Sequence, residues 1–347
     1  MAKSVFACFC FCIFSLVAAE MTPLWDYDNG KCLISNPLVY EGRLFVSGRN
    51  AQRSNEGAIF ELNPDSGKLL RVIPFPKDGQ NGPYSGFSSP VVVDGMILHA
   101  WESIQAFDLA TGERQWVVTD TGRIYGTPVV ADGKIIFAGG SKLFALDYQG
   151  QHIWTAEIGA ECAARLTTDG QKIYLGDQNG WCHAFKVADG QEVWKFRTDK
   201  PVRAKPQFYL GLVIFCSFDG SINALDRNNG GVRWRIFTRK MIFADPAISG
   251  NNLYVVDSAG MLRNYEASTG ICQYETRLPD WGSSAITYHE GKLYLGDYAG
   301  HAMVIKASDG TMERQYQFRD WLRAAPAIYQ GKVIFASMDG HLAAFDK

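Results

Sequence analysis

Charge of either sign is nearly absent in excess: 34 Lys and Arg stand against 36 Asp and Glu, a formal net charge of -2. Non-specific nucleic-acid binding draws its affinity from a surplus of cations against phosphate, so that class is set aside. Long apolar runs are missing after the first twenty residues. A helix needs about 20 such residues to span a bilayer, which leaves no transmembrane segment in the mature chain. Cysteine is sparse. Beyond the N-terminal run it occurs only at Cys32, Cys162, Cys182, Cys216 and Cys272, with no CxxC, no CxxCH and no adjacent pair. That excludes a disulfide framework and gives no support to zinc or haem. These thiols read as small core residues. There is also no nucleophile elbow, phosphate-cradling glycine loop or HExxH run.

What is present begins with a leader. Lys3 supplies a positive start, Val5 to Ala19 is apolar and rich in Phe and Cys, and Val17-Ala18-Ala19 offers small residues for signal peptidase. Cleavage after Ala19 is expected, with residues 20–347 forming the mature domain and the protein periplasmic or secreted. Cys8, Cys10 and Cys12 lie inside the run rather than at its close, which speaks against lipidation. The whole sequence is 47% apolar and 20% charged, enough to build a large core.

Repetition organises everything after the leader. Pro37, Pro90, Pro128, Pro206, Pro246 and Pro326 each open a short apolar strand that runs into a Gly-containing turn, as in Pro90-Val-Val-Val-Asp-Gly95, at a spacing near forty. Two further copies lack the proline, with Arg165 and Ala285 at or near its place, which makes eight. Each copy continues through an apolar strand such as Lys134 to Ala138, a second turn, a strand such as Leu143 to Asp147, and a third turn leading to a final strand. Gly112, Gly150, Gly190, Gly230 and Gly270 each precede an aromatic residue by four positions, at Trp116, Trp154, Trp194, Trp234 and Tyr274. Those aromatics in register read as blade-to-blade packing. Asp108, Asp147 and Asp226 read as turn caps. Middle strands that are apolar on both faces need cover on both sides. Four strands per repeat and eight repeats predict an all-β, eight-bladed propeller. The last copy is one strand short, and Leu24 to Tyr27 is expected to complete it and close the ring.

These units resemble the pyrroloquinoline quinone-type (PQQ-like) propeller repeat, whose order is small-Pro-Val-Val, Asp-Gly, Tyr-Val, Asp-Gly, Ala-Leu-Asp, Thr-Gly and Trp. The resemblance covers essentially the whole mature chain. Lys186 and Lys306 in place of the turn Asp, Arg71 and Arg314 in place of the Trp, and Arg165 in place of the proline depart from it. Within this superfamily the length, the leader and the single propeller are most similar to BamB-type outer-membrane assembly factors. The resemblance implies a monomeric, non-catalytic scaffold that contacts a protein partner in the envelope. It also raises two alternatives, a secreted glycan- or polymer-binding propeller and a PQQ-dependent dehydrogenase. The quinoprotein typically needs a longer chain and often a vicinal disulfide. No cofactor and no catalytic residue is therefore assigned.

Function is expected where the repeats differ. In this repeat type the second turn of each unit and the link to the next share one side of the disc. That side carries the long first-blade segments Arg49 to Glu56 and Pro76 to Tyr84, and the links carry Arg123, Arg165, Arg203, Lys205, Trp281, Trp321 and Arg323. Arginine and aromatics together suit a protein or polymer contact, and these seven residues are the candidate binding site. The competing reading has the tryptophans covering grooves and the arginines paired with Glu161, Asp245 and Asp280. His301 and His341 follow equivalent repeat glycines and read as surface strand starts in different blades, too far apart to share a metal.

Overall fold

The computed structural model describes residues 18–30, 35–49, 57–75, 88–162, 165–282 and 284–347. Among these residues every regular element is a strand. The strands form eight antiparallel sheets in sequence order. Blades 1 to 7 begin at Leu38, Val91, Val129, Thr167, Gln207, Ala247 and Thr287, and blade 8 at Ala327. The first strands of neighbouring blades approach one another, so each blade presents its first strand to the central axis. Cys32 and the segments 50–56 and 76–84 lie outside the described residues.

The double-sided apolar pattern of the middle strands is resolved by stacking blade on blade. Eight core clusters of buried side chains each bridge two neighbouring blades, one per interface around the ring. Leu44, Val46 and Phe60 of blade 1, for example, share a cluster with Ile334, Leu342 and Ala344 of blade 8. Closed rings leave no core face open to water.

Six of the eight interfaces are pinned at the outer strand by the recurring aromatic. Trp116, Trp154, Trp194 and Trp234 donate their indole N–H to the carbonyls of Tyr148, Val187, Arg227 and Ala267, in the third turn of the next blade, at 2.9 to 3.2 Å. Tyr274 makes the same bond to Ala307 through its hydroxyl at 2.9 Å. The ring face lies on that turn's glycine. Gly190 has φ of 72°, and a Cβ there would sit 2.6 Å from the Trp154 ring. Glycine is thus demanded twice, by the left-handed backbone and by the approaching indole. Arg71 replaces the aromatic in blade 1 and fills its role with two bonds of its own, to the carbonyls of Ala110 and Leu109 at 2.7 and 2.8 Å. The turns themselves are held by the expected caps: Asp108, Asp147 and Asp226 accept from backbone amides two to four residues ahead.

Ring closure follows the sequence reading with a one-residue shift. Trp25–Asp28 pairs antiparallel with His341–Asp346 as the fourth strand of blade 8. Trp25 joins the docking series, donating to Pro64 at 3.0 Å with its ring on Gly67. In blades 1 to 7 the third and fourth strands slip register near the aromatic position, which is Arg71 in blade 1 and Arg314 in blade 7. Blade 8 pairs without that slip. Its outer strand comes from the other end of the chain, so no third turn has to be accommodated. Ala19–Glu20 adds a short parallel strand outside blade 7.

Two expectations are corrected. Arg165 does not take the proline's place: Leu166 does, directly before the first strand of blade 4, as Ile286 rather than Ala285 does in blade 7. The first strand of blade 4 pairs one position further along the sequence than the Pro-based alignment implies. His341 is not a surface residue but is buried, packed at 5.1 Å from Phe318, because the seam between blades 7 and 8 covers the strand start.

Removing the closing aromatic should loosen the whole ring. Trp25→Ala is expected to cost about 3–5 kcal/mol in urea unfolding, and a chain starting at Asn29 should melt well below the protein that retains Trp25–Asp28. Equal melting would refute closure by this strand. Acid sensitivity should come from His99, which stacks on Phe75 at 4.0 Å and whose pKa burial pulls down to about 3. A folded pKa below the unfolded value means stability is complete above about pH 6.5 and is lost as pH falls toward 3. At pH 5 this group alone should cost about 2 kcal/mol, and His99→Gln should flatten the stability profile between pH 7 and 5 by that amount.

Candidate functional site

The links between blades are extended, so their side chains alternate. Counting back from the residue that precedes each first strand, the second and fourth positions before it turn under the blades: Ile124, Val202, Ala204, Ile242, Ala244 and Leu322 are all buried. The first, third and fifth positions turn toward the axis. Three tiers result. Trp281 and Trp321 belong to the outer tier with Arg123, Glu161 and Met241. Tyr125, Arg203, Phe243 and Arg323 form the middle one. Arg165, Lys205 and Asp245 stand at the floor. Together with the second turns, these tiers enclose a funnel of about 810 Å³ at the axis.

The floor is a cross-channel tether. Arg165, from the start of blade 4, forms an ion pair with Asp245 of blade 6, and its other amino group reaches Asn36 of blade 1 at 3.4 Å. Asn36 in turn accepts from the Ala325 amide of blade 8 at 2.9 Å. The second oxygen of Asp245 accepts from the Lys205 amide at 2.7 Å. Below the tether lies a second cavity of about 530 Å³, lined by the first strands and Lys205. Arg165 and Asp245 line both spaces, so their pair is the partition.

The wall is aromatic over half the ring. Phe218 and Phe243 meet edge to face at 6.5 Å, Phe243 and Tyr298 at 6.0 Å, and Tyr298 and Trp281 at 5.8 Å, while Tyr298 packs on Trp321 at 4.6 Å. Trp281 and Tyr298 are 47% and 40% exposed, unusual for rings that already have partners. Tyr298 is held from below. Its amide donates to the Trp281 carbonyl, and the preceding Asp297 is fully buried, accepting from the His301 amide and pairing with its ring at 2.6 Å. Burial raises the Asp297 pKa in spite of that histidine.

The cations divide by depth. Arg203 is held by neutral groups, donating twice to the Gln178 carbonyl oxygen at 3.2 and 3.0 Å and lying 5.1 Å over the Phe218 ring. Arg323 is partly buried, and that burial, with the like charges of Arg165 and Arg203, pushes its pKa down. Arg123 is exposed at the rim, 5.9 Å over Trp101. So Arg165, Arg203, Trp281 and Arg323 share the funnel. Trp321 backs its wall, Lys205 lies beneath its floor, and Arg123 stands outside it. The pairing of Arg165 with Asp245 matches the competing structural reading for that residue.

Reading the sequence for charge and tryptophan overlooked Tyr125, Gln178, Phe218, Phe243 and Tyr298. A signal existed. Gln178, Phe218 and Tyr298 occupy one repeat position, the residue after the second-turn Asp or Ser, where other repeats carry Ser258 and Met338.

The tether supplies a test of this geometry. Arg165→Ala leaves Asp245 nearly buried without its counter-ion and is expected to destabilise by about 2–3 kcal/mol. Adding Asp245→Ala should recover most of that loss, and a cycle showing additive losses would mean the two do not form a pair.

A family model described as "Outer membrane protein assembly factor BamB" matches residues 17–164, 145–276 and 275–347. The assembly factor BamB of Shewanella oneidensis is 25% identical over 222 residues, 54% of this chain and 56% of that protein. That of Yersinia pestis is 26% identical over 236 residues, 63% of this chain and 57% of that protein. The aligned region thus spans little more than half the length of these relatives. The crystal structure of BamB from Moraxella catarrhalis superposes with a TM-score of 0.75 at 13% identity, covering 94% of this chain and 100% of that one, which shows the shared fold. The chain belongs to the BamB family of PQQ-like β-propellers.

Proposed function

We propose that the protein is an exported, non-catalytic scaffold of the cell envelope whose funnel face docks a protein of the outer-membrane assembly machinery. On this reading the leader is removed near Ala19, and residues 20–347 act as one propeller in the periplasm. The observation that carries it is the sidedness of the disc. Turns on both sides are closed by local Asp caps, but only on the funnel side do the links and second turns add Trp281, Tyr298, Trp321 and Arg123 around one rim. Arginine and aromatic side chains are the types that most often dominate binding energy, with a buried anchor contributing roughly 2 kcal/mol or more. A rigid ring that presents such residues from separate blades offers a preorganised surface, which lowers the cost of binding.

The rim is tested by Trp281→Ala, alone and with Trp321→Ala. Because Trp281 is half exposed, the single variant should melt with the parent protein yet lose its partner in pull-down from solubilised envelope. Lys186→Ala and Lys306→Ala, on turns at the opposite side, should retain the partner. A folded double variant that keeps every partner would show that the rim is the wrong face.

A further inference from the structure

We propose that the funnel is a binding site for a sugar acid, a pyranose ring bearing one carboxylate, either free or at the end of an oligosaccharide. This goes beyond docking at the rim, because the site lies inside the cone. Its volume of about 810 Å³ falls in the range of small-ligand sites, roughly 300–1,000 Å³. The Arg165–Asp245 pair spans its base, between it and the second cavity.

Charge selects an anion, and a single one. Asp245 is already committed at both oxygens, to Arg165 and to the Lys205 amide. Arg123 at the rim is held positive first by its bond with Tyr125 and last by Glu161, which lies near it. Arg203, in contrast, is oriented by an amide oxygen and a phenyl face, which fix its direction without neutralising it. Arg323 converges on the same space from the link between blades 7 and 8. Two guanidiniums lining one concave site, each with the planar N–H fork that binds a carboxylate bidentately, favour an anion there.

The rest of the lining selects a ring with hydroxyls rather than a flat apolar acid. Trp281 and Tyr298 leave much of their surface open at the mouth, and exposed aromatic faces stack against the C–H face of a pyranose. Around them stand neutral or acceptor groups suited to hydroxyls: the Tyr125 phenol, the Gln178 amide, whose N–H groups remain to donate, and the Glu161 carboxylate. A carboxylate in the lining would repel a polyanion but accept from a sugar hydroxyl.

The experiment is an NMR titration of the ¹⁵N-labelled protein with methyl β-D-glucuronide, with methyl β-D-glucoside as the uncharged twin and, as the oligosaccharide arm, an aldotriouronic acid that bears a single terminal glucuronate on neutral sugars. Saturable shifts are expected at the Trp281 indole and at Arg203 and Arg323 Nε–H. The glucoside should bind about tenfold more weakly or worse, and Arg203→Gln with Arg323→Gln should abolish the response while melting as the parent does. Should that variant unfold, saturation transfer from Trp281 and Tyr298 ring protons to bound glucuronide in the parent protein decides the matter. Equal binding of glucoside and glucuronide, retention of binding in a folded double variant, or no saturable shift by either acid up to about 10 mM overturns the proposal. Each of these results is independent of partner capture by the rim, so a failed sugar site leaves the docking proposal standing and the reverse holds too.

Discussion

One contact recurs at the interfaces and makes the ring possible: an outer-strand indole lying flat on the glycine of the next blade's third turn, with its N–H on a carbonyl of that turn. It joins apolar burial to a directional bond, so neighbouring blades are set in angle as well as in distance. A Cβ on that glycine would collide with the ring, and the glycine's positive φ allows the turn that receives it. In blade 1, where the aromatic is replaced, the donor survives. Arg71 keeps two bonds to the same turn and anchors its other side on Glu61. Trp25 carries the contact across the point where the chain's two ends meet, so the closure uses the same device as the seams that follow blades 2 to 6.

That repeated anchoring frees the links. Their buried positions, such as Val202 and Ala204, seal the blade edges, while the alternate positions face the axis and, the Arg165–Asp245 tether apart, are freer to vary. The funnel is built from those positions. It is a surface of individual side chains held by a rigid scaffold, the usual division between fold and site. The Arg165–Asp245 tether adds a constraint of a different kind, because it joins blades that are not neighbours and divides the axial space in two. Breaking one half of such a pair costs more than the pair contributes.

Much of this was legible in the residues. A period near forty, the Gly-to-aromatic spacing and double-sided apolar strands led to eight blades, and the missing last strand led to Leu24–Tyr27, one residue from the observed span. The turn caps at Asp108, Asp147 and Asp226 were readable too, since each acts within a few residues of itself. Local physics of this kind leaves a local trace. The alignment slipped at Arg165, where the proline that marked the register is absent and Leu166 fills its place by burial alone. It also placed His341 at the surface, because nothing near it in the sequence announces the seam that covers it.

The candidate site divides along the same line. Sequence by itself determined the fold, the side on which the departures fall, and the identity of Arg203, Trp281 and Arg323 as residues to watch. Only the tertiary structure decided that Arg165 spends its charge on Asp245, eighty positions away, that Lys205 sits beneath the floor rather than on the rim, and that Tyr298 and Phe243 join the wall. The reason is distance along the chain. Repeat spacing encodes contacts between one blade and the next, whereas the funnel is formed by residues from blades that meet only across the axis, and their pairing exists only once the ring has closed.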